Sequence, residues 1–266
     1  MKYFFDVWDE FSAACAAAHH VLILLDYDGT LTPIVSRPED AILSSPVREI
    51  LSSLAQKKSF SVGVITGRSI DEIKQLVNIK GIYYSGNHGL EIDGPGLEYR
   101  NTTAFTARTL IDDLAARFAR ELSDVSGVII QNKGFSLSVH YRLVKPENEV
   151  AIAGIVRRIT GPLQDKRKIR VFEGKKVWEI RPPMDWDKGK AVVLIGQKIC
   201  AGLKLTRLLT VYLGDDTTDE DAFRVLHRPD GWSVYIGPEN ETSAAEFYLK
   251  STNEVESFLR KLKDIK

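Results

Sequence analysis

Two acids, Asp26 and Asp28, stand one residue apart in the run Val21-Leu22-Ile23-Leu24-Leu25-Asp26-Tyr27-Asp28-Gly29-Thr30-Leu31-Thr32. Carboxylates that close repel each other unless a positive charge lies between them, so the pair points to a divalent cation or a shifted proton. The plainer alternative is a turn or helix cap, because Asp-Gly is a common turn dipeptide. Asp215, in Gly214-Asp215-Asp216-Thr217-Thr218-Asp219-Glu220-Asp221, follows an apolar run as Asp26 does. Asp219, Glu220 and Asp221 also fit the ordinary acids of a first helical turn. Oxygen ligands with space left for waters and an anion are what Mg²⁺ prefers. Lys188 lies in the first turn of an expected helix, where it opposes the helix macrodipole at a cost of about 0.3–1 kcal/mol if no anion is near. It either points into water or meets an anion.

The elements that must position these residues follow from the same segments. Five unbroken apolar residues, Val21 to Leu25, suit a parallel strand covered on both faces. In open α/β sheets ligands gather just beyond the carboxyl ends of such strands. Phe60 to Ile65 is a second strand and ends in Thr66-Gly67-Arg68, after which Ser69-Ile70-Asp71-Glu72 matches a capping box and predicts a helix. Leu208 to Leu213 is a third, and a helix is expected from about Asp187 or Lys188. Gly81 to Ser85 is strand-like and leads into Gly86-Asn87-His88-Gly89-Leu90-Glu91. The amino terminus, through the alanines to His19-His20, reads as one amphipathic helix whose acids rule out a signal-peptide core. The fold class is α/β, with a Rossmann-like parallel-sheet core and an inserted smaller α/β cap domain.

Asp-Tyr-Asp-Gly-Thr-Leu-Thr resembles the first motif of the haloacid dehalogenase-like phosphatases. Three later segments, around Thr66, Lys188 and Asp215, are similar to that family's other motifs and come in the same order. The resemblance implies that Asp26 is a phosphoryl-accepting nucleophile and Asp28 a general acid/base. It also implies that Thr66 is a phosphate-binding hydroxyl and that Lys188 balances nucleophile and phosphate. A Mg²⁺ cofactor is implied as well, held by Asp26, Asp28 and Asp215, one of the first two through its backbone carbonyl, with Asp219 behind them. Arg68 is a substrate-binding candidate whose other role is to brace the loop.

More than a hundred residues separate Arg68 from Lys188, far more than a crossover needs, so an inserted domain is expected at 105–182, with the core formed by 1–104 and 183–266. Its expected elements are a helix from about Phe105 to Leu122, strands at Gly127 to Lys133 and Phe135 to Arg142, a helix around Glu147 to Ile159, and a hairpin of Lys168 to Phe172 with Lys175 to Ile180, turning at Glu173-Gly174. Alternation places Ser136, Ser138, His140 and Arg142 on one face. That face is either solvated or a surface for sugar hydroxyls under a lid that excludes water. Gly86 to Glu91, Lys133-Gly134-Phe135-Ser136, His140-Tyr141-Arg142, Gly174 to Pro182 and Asp187 to Ala191 narrow the resemblance to the trehalose-6-phosphate phosphatases. That family binds its disaccharide phosphate through a cap lysine, arginine and glutamate, which implies Lys133, Arg142 and Glu179 here. Gln131, sharing the strand face of Lys133, and His88, beside the cleft, are further substrate-binding candidates.

Composition narrows the alternatives. Thirty-six basic and 36 acidic residues give a formal net charge of zero, so no basic field favours nucleic acid or an anionic membrane, and a small-molecule partner is expected. No apolar run approaches the ~20 residues that cross a bilayer. Two cysteines support neither a disulfide framework nor a zinc cluster and suit a reducing cytoplasm. The five histidines lack metal spacing, and no P-loop is present. A monomer is expected. The competing readings are a phosphatase for sucrose phosphate or a glucosyl- or mannosyl-glycerate phosphate, a phosphosugar mutase using the same aspartates, and a non-catalytic sensor. Against the last stands the filling of every catalytic position.

Overall fold

The structure is a computed structural model describing residues 1–265, and the chain divides into two compact units: Met1–Tyr99 together with the segment from Trp186 onward, and the intervening Arg100–Asp185. Among the described residues the first unit carries a nine-stranded sheet. Its order is Lys2–Tyr3, Phe247–Leu249, Gly231–Ile236, Leu209–Gly214, Val21–Leu25, Phe60–Ile65, Tyr83–Gly86, Glu91–Gly94 and Leu97–Arg100. Neighbours are parallel as far as Tyr83–Gly86, and Glu91–Gly94 returns antiparallel to it.

The Val21–Leu25 strand is buried along its whole length because its two faces serve different cores. Val21, Ile23 and Leu25 pack with Leu51, Leu54, Val62, Val211 and Phe258, whereas Leu22 and Leu24 pack with Ala191, Val192, Ile195, Tyr212 and Phe223. Helices Ser45–Ala55 and Thr252–Lys263 cover the first face and Lys188–Leu203 covers the second. A strand covered twice needs no polar side, hence the unbroken apolar run. Each such side chain contributes roughly 1.5–3 kcal/mol on full burial. Strands Leu209–Gly214, Val21–Leu25 and Phe60–Ile65 are consecutive in the sheet, so Asp215, Asp26 and Thr66, each the residue after its strand, emerge side by side at the carboxyl ends.

The amino terminus is not one helix. Lys2–Tyr3 adds a strand to the sheet beside Phe247–Leu249, Phe4–Val7 forms a 3₁₀ turn, and only Trp8–Ala17 is α-helical. Phe4 and Phe11 are drawn into an aromatic cluster with Trp232 and Phe258, and that packing outweighs helical propensity. Beyond Tyr83–Gly86 the sheet is extended by the short strands Glu91–Gly94 and Leu97–Arg100.

The second unit has an antiparallel sheet in the order Ile129–Asn132, Leu137–His140, Val177–Arg181, Arg170–Gly174, with helices Thr102–Glu121 and Pro146–Asp165. Leu137, Val139, Trp178 and Ile180 share its core with Ile111, Phe118, Ile152 and Val156. The hairpin turns at Lys175-Lys176 and not at Glu173-Gly174. Gly174 pairs with Val177 in the ladder, and Lys176 takes the left-handed conformation with φ 67°.

Candidate active site

Asp26 and Lys188 lie 162 residues apart in the chain and in contact in the fold. The Lys188 ammonium, 2% exposed, donates to Asp26 Oδ1 and to Asp219 Oδ1, each at 2.7 Å. Asp187 caps the helix by accepting from the Lys190 amide, which leaves Lys188 in the first turn facing acids, not water. Asp219 accepts at Oδ1 from Tyr212 as well, at 2.6 Å, and at Oδ2 from the amides of Asp215 and Asp216, both at 3.0 Å. With four hydrogen bonds to accept, Asp219 is suited to fixing Lys188 and the strand end more than to gripping an ion. Gly29 completes the packing. Its φ is 95°, and a Cβ there would stand 2.3 Å from an Asp215 oxygen, so both backbone and space require glycine.

Asp26, Asp215 and Asp219 each offer an oxygen within 4.8 Å of the others, and all three residues are buried. Burial pushes the Asp26 carboxyl well above the usual range. Lys188 pulls it down, and Asp219 and Asp215 push it up again. Burial also works against the Lys188 charge, but Asp219 and Asp26 outweigh it and hold the ammonium above its ordinary value. Tyr212 is likewise raised, by burial first and then by Asp219 and Asp26, so its hydroxyl keeps its proton. Three carboxylates against one ammonium leave an excess of negative charge in a dry place. Hard oxygen donors in that arrangement fit a divalent cation, which would supply the missing positive charge.

Asp26 and Asp28 each meet a different cationic side chain, Lys188 and Arg68. The Asp28 carboxylate is turned to Arg68, which donates to it through Nε and Nη2 at 2.7 Å each. It is not among the clustered carboxylates, so only its backbone remains as the route by which it would serve a cation. Arg68 is 5% exposed and also donates to Glu72 and to the Pro38 carbonyl. All three guanidinium nitrogens meet protein acceptors, an arrangement that braces this loop. Thr66 is buried. Its hydroxyl accepts from the Arg68 amide at 3.2 Å, and its carbonyl accepts from the His88 amide at 2.9 Å. His88 therefore lies against this loop, with Nε2 2.5 Å from where a Gly67 Cβ would be.

In the second unit Glu179 sits between two cations. Lys133 Nζ lies 3.5 Å from one oxygen and Arg181 Nη2 2.8 Å from the other, with all three side chains less than 15% exposed. Arg181 was not among the sequence candidates, although the period-two rule already placed it on the face of Glu179. Gln131 Oε1 pairs with His140 Nε2 at 3.1 Å. Arg142 falls outside this group. The strand ends at His140, and the exposed Arg142 donates to the Lys175 carbonyl at 2.6 Å, beside the hairpin turn. The alternating pattern overshot the strand by two residues.

The family model for trehalose-phosphatase matches residues 24–257. The probable trehalose-phosphate phosphatase D of Arabidopsis thaliana is 33% identical over 260 residues, spanning 94% of this chain and 69% of that protein. The probable trehalose-phosphate phosphatase 3 of Oryza sativa subsp. japonica is 34% identical over 275 residues, spanning 97% and 74%. Among solved structures, the C-terminal domain of the C. albicans trehalose-6-phosphate phosphatase superposes with a TM-score of 0.80 at 23% identity, covering 96% of each chain. That last likeness is one of fold.

Proposed function

Because this chain belongs to the trehalose-phosphatase family, we propose that it hydrolyses trehalose 6-phosphate to trehalose and phosphate through an aspartyl-phosphate intermediate. The observation that carries the reading is the convergence of Asp26, Asp215 and the Thr66 loop at adjacent strand ends, with the Lys188 ammonium held on Asp26.

In this reading an Asp26 oxygen attacks phosphorus, the bond from phosphorus to the sugar oxygen breaks, and Asp28 supplies the proton that oxygen needs. Asp28 then takes a proton from the water that attacks the aspartyl phosphate, releasing phosphate and restoring Asp26. Two lower barriers replace one. In the structure Arg68 donates once to each Asp28 oxygen, which orients the carboxyl and leaves each oxygen a further site for the proton. Lys188 fixes the nucleophile and, with Thr66, meets the charge of the transferred group, work that is mostly positioning and electrostatics. Mg²⁺ is the proposed cofactor; Asp26, Asp215 and the Asp28 backbone would hold it, and it would neutralise phosphoryl charge. Lys133 and Glu179, with Arg142, Gln131 and His88 as the remaining candidates, are assigned to the disaccharide phosphate. Residues 105–182 act as the cap that sets specificity. Sugar hydroxyls donate to carboxylates and accept from ammonium groups, and the Lys133–Glu179 pair offers both.

Phosphate release from a panel of sugar phosphates, with and without Mg²⁺, tests reaction, substrate and metal together. Trehalose 6-phosphate is expected to be the best substrate. A stronger preference for sucrose phosphate or a glycosyl-glycerate phosphate displaces the substrate reading, and isomerised hexose phosphate in place of free phosphate would reveal a mutase. Asp26→Asn is expected to abolish turnover while the melting temperature holds, and retained turnover would remove Asp26 as nucleophile.

A further inference from the structure

Trp186 is the first residue of the chain after its return from the second unit, and Tyr99 is the last before its departure. Their rings are stacked, with centroids 4.7 Å apart and planes 20° from parallel. The indole of Trp186 does something further. Its N–H donates to the Gly89 carbonyl at 2.6 Å. Gly89 closes a turn in which Asn87, His88 and Gly89 all have positive φ, at 50°, 56° and 101°. Two of these are not glycine, so the turn is a strained conformation that its surroundings must hold in place.

Those surroundings are of two kinds. On one side, the Asn87 amide donates to the Arg68 carbonyl at 2.7 Å and the His88 amide to the Thr66 carbonyl at 2.9 Å, which fastens the turn to the loop carrying Thr66. On the other side, the turn presses on the start of the helix that carries Lys188: a Cβ at Gly89 would stand 2.9 Å from Ala191 Cβ and 3.0 Å from the Asp187 carbonyl. Trp186 is two residues before Lys188, and its N–H makes a polar link across this contact. The path from Thr66 through the strained turn and the indole to Lys188 is thus continuous through hydrogen bonds and a few backbone bonds.

We propose that Trp186 is a positioning residue that, through its N–H bond to the Gly89 carbonyl, sets the Thr66 loop and the Lys188 helix at the separation the phosphoryl group requires. The stack on Tyr99 anchors the indole for that bond at the point where the chain leaves and rejoins the first unit. This rests on the phosphatase reading above, in which Thr66 and Lys188 meet the same phosphoryl charge. Because they do so in transition state and intermediate alike, a loosened link falls on turnover and on binding of a phosphoryl mimic, not on the sugar.

The test compares wild type, Trp186→Phe, and protein carrying the benzothienyl isostere of tryptophan at position 186. Both replacements keep a ring to stack on Tyr99 and lose the N–H. The isostere changes one atom and covers poor folding of Trp186→Phe. The expected result is a fall in kcat of roughly tenfold to a hundredfold, the scale on which small misplacements act. KM for trehalose 6-phosphate should move little, inhibition by orthovanadate should weaken, and the melting temperature of the isostere protein should match wild type. Unchanged kcat in the isostere protein, unchanged vanadate inhibition, or a loss confined to KM overturns the proposal. Wild type that hydrolyses p-nitrophenyl phosphate but not trehalose 6-phosphate would instead unseat the substrate reading, and the same comparison is then read on p-nitrophenyl phosphate. Wild type inactive on both sinks the two together.

Discussion

Taking away the Lys188 ammonium leaves Asp26 and Asp219 as buried carboxylates without their shared cation. Lys188→Met is therefore expected to lower the unfolding free energy by about 3–5 kcal/mol, measured by urea denaturation, besides ending turnover. A cost below ~1 kcal/mol would mean that the pocket does not hold the charges assigned to it. His20 gives a second residue-level expectation. It is almost wholly buried, with Nε2 2.9 Å from the Ser61 hydroxyl, and burial lowers its pKa against a smaller upward pull from the Lys58 backbone. A histidine with a depressed folded-state pKa stabilises the fold while neutral. Its contribution is present above about pH 6.5 and is lost as the pH falls toward the folded value. Between about pH 7.5 and pH 5.5, wild type should lose more stability than His20→Asn, and parallel curves would refute the assignment. Asp26 and Asp28 were legible from the sequence as a charged problem needing a solution. Lys188 as the cation of Asp26 came only through the family resemblance, and Arg68 as that of Asp28 did not come at all, because spacing along a strand says nothing about which distant cation reaches which oxygen.

At the scale of elements, the apolar runs and capping signals located the strands and helices that carry the site. The Ser69 hydroxyl accepts from the Glu72 amide as a capping box predicts, while the Glu72 carboxylate is taken by Arg68. Asn101 is a comparable cap that the pattern did not reveal. Its side chain accepts from the amides of Thr103 and Ala104 at 3.0 and 3.2 Å and starts the Thr102–Glu121 helix of the second unit. Asn101→Ala should cost about 1 kcal/mol, read by chemical denaturation, with the phosphatase pocket untouched. The misreadings at this scale share a cause. The strand's extension to Arg142, the Glu173-Gly174 turn and the single amino-terminal helix were each drawn from a local pattern that continued past the point where cross-strand pairing or aromatic packing took over. Arg181 shows the opposite error, since its pattern was readable but its partner, Glu179, becomes meaningful only once the two side chains are seen in contact.

For the molecule as a whole, Asp26 and Asp215 are 189 positions apart in the chain and meet only in the folded state, so a cation held by both would bind the folded form alone. A ligand that binds the folded form alone stabilises it by mass action, by roughly 2.7 kcal/mol at a hundred times its dissociation constant. Mg²⁺ is expected to raise the melting temperature and a chelator to reverse the rise, with Asp215→Asn losing most of the effect. An Asp215→Asn protein that responds like wild type would place the cation elsewhere. This readout is independent of turnover, so the metal assignment stands or falls apart from the substrate assignment.

The sequence by itself determined the acids and the threonine at the ends of apolar runs, the lysine in the first turn of a helix, and the presence of a long insert. Each of those is a property of a contiguous stretch: periodicity, a cap, or the distance between two motifs. The tertiary structure decided which charges neutralise which. It set strands Leu209–Gly214, Val21–Leu25 and Phe60–Ile65 side by side, closed Lys188 onto Asp26 and Asp219, and turned Asp28 to Arg68. Coulomb energy and hydrogen bonding act across a few ångströms of space, and only the packed chain brings residues more than a hundred positions apart within that range.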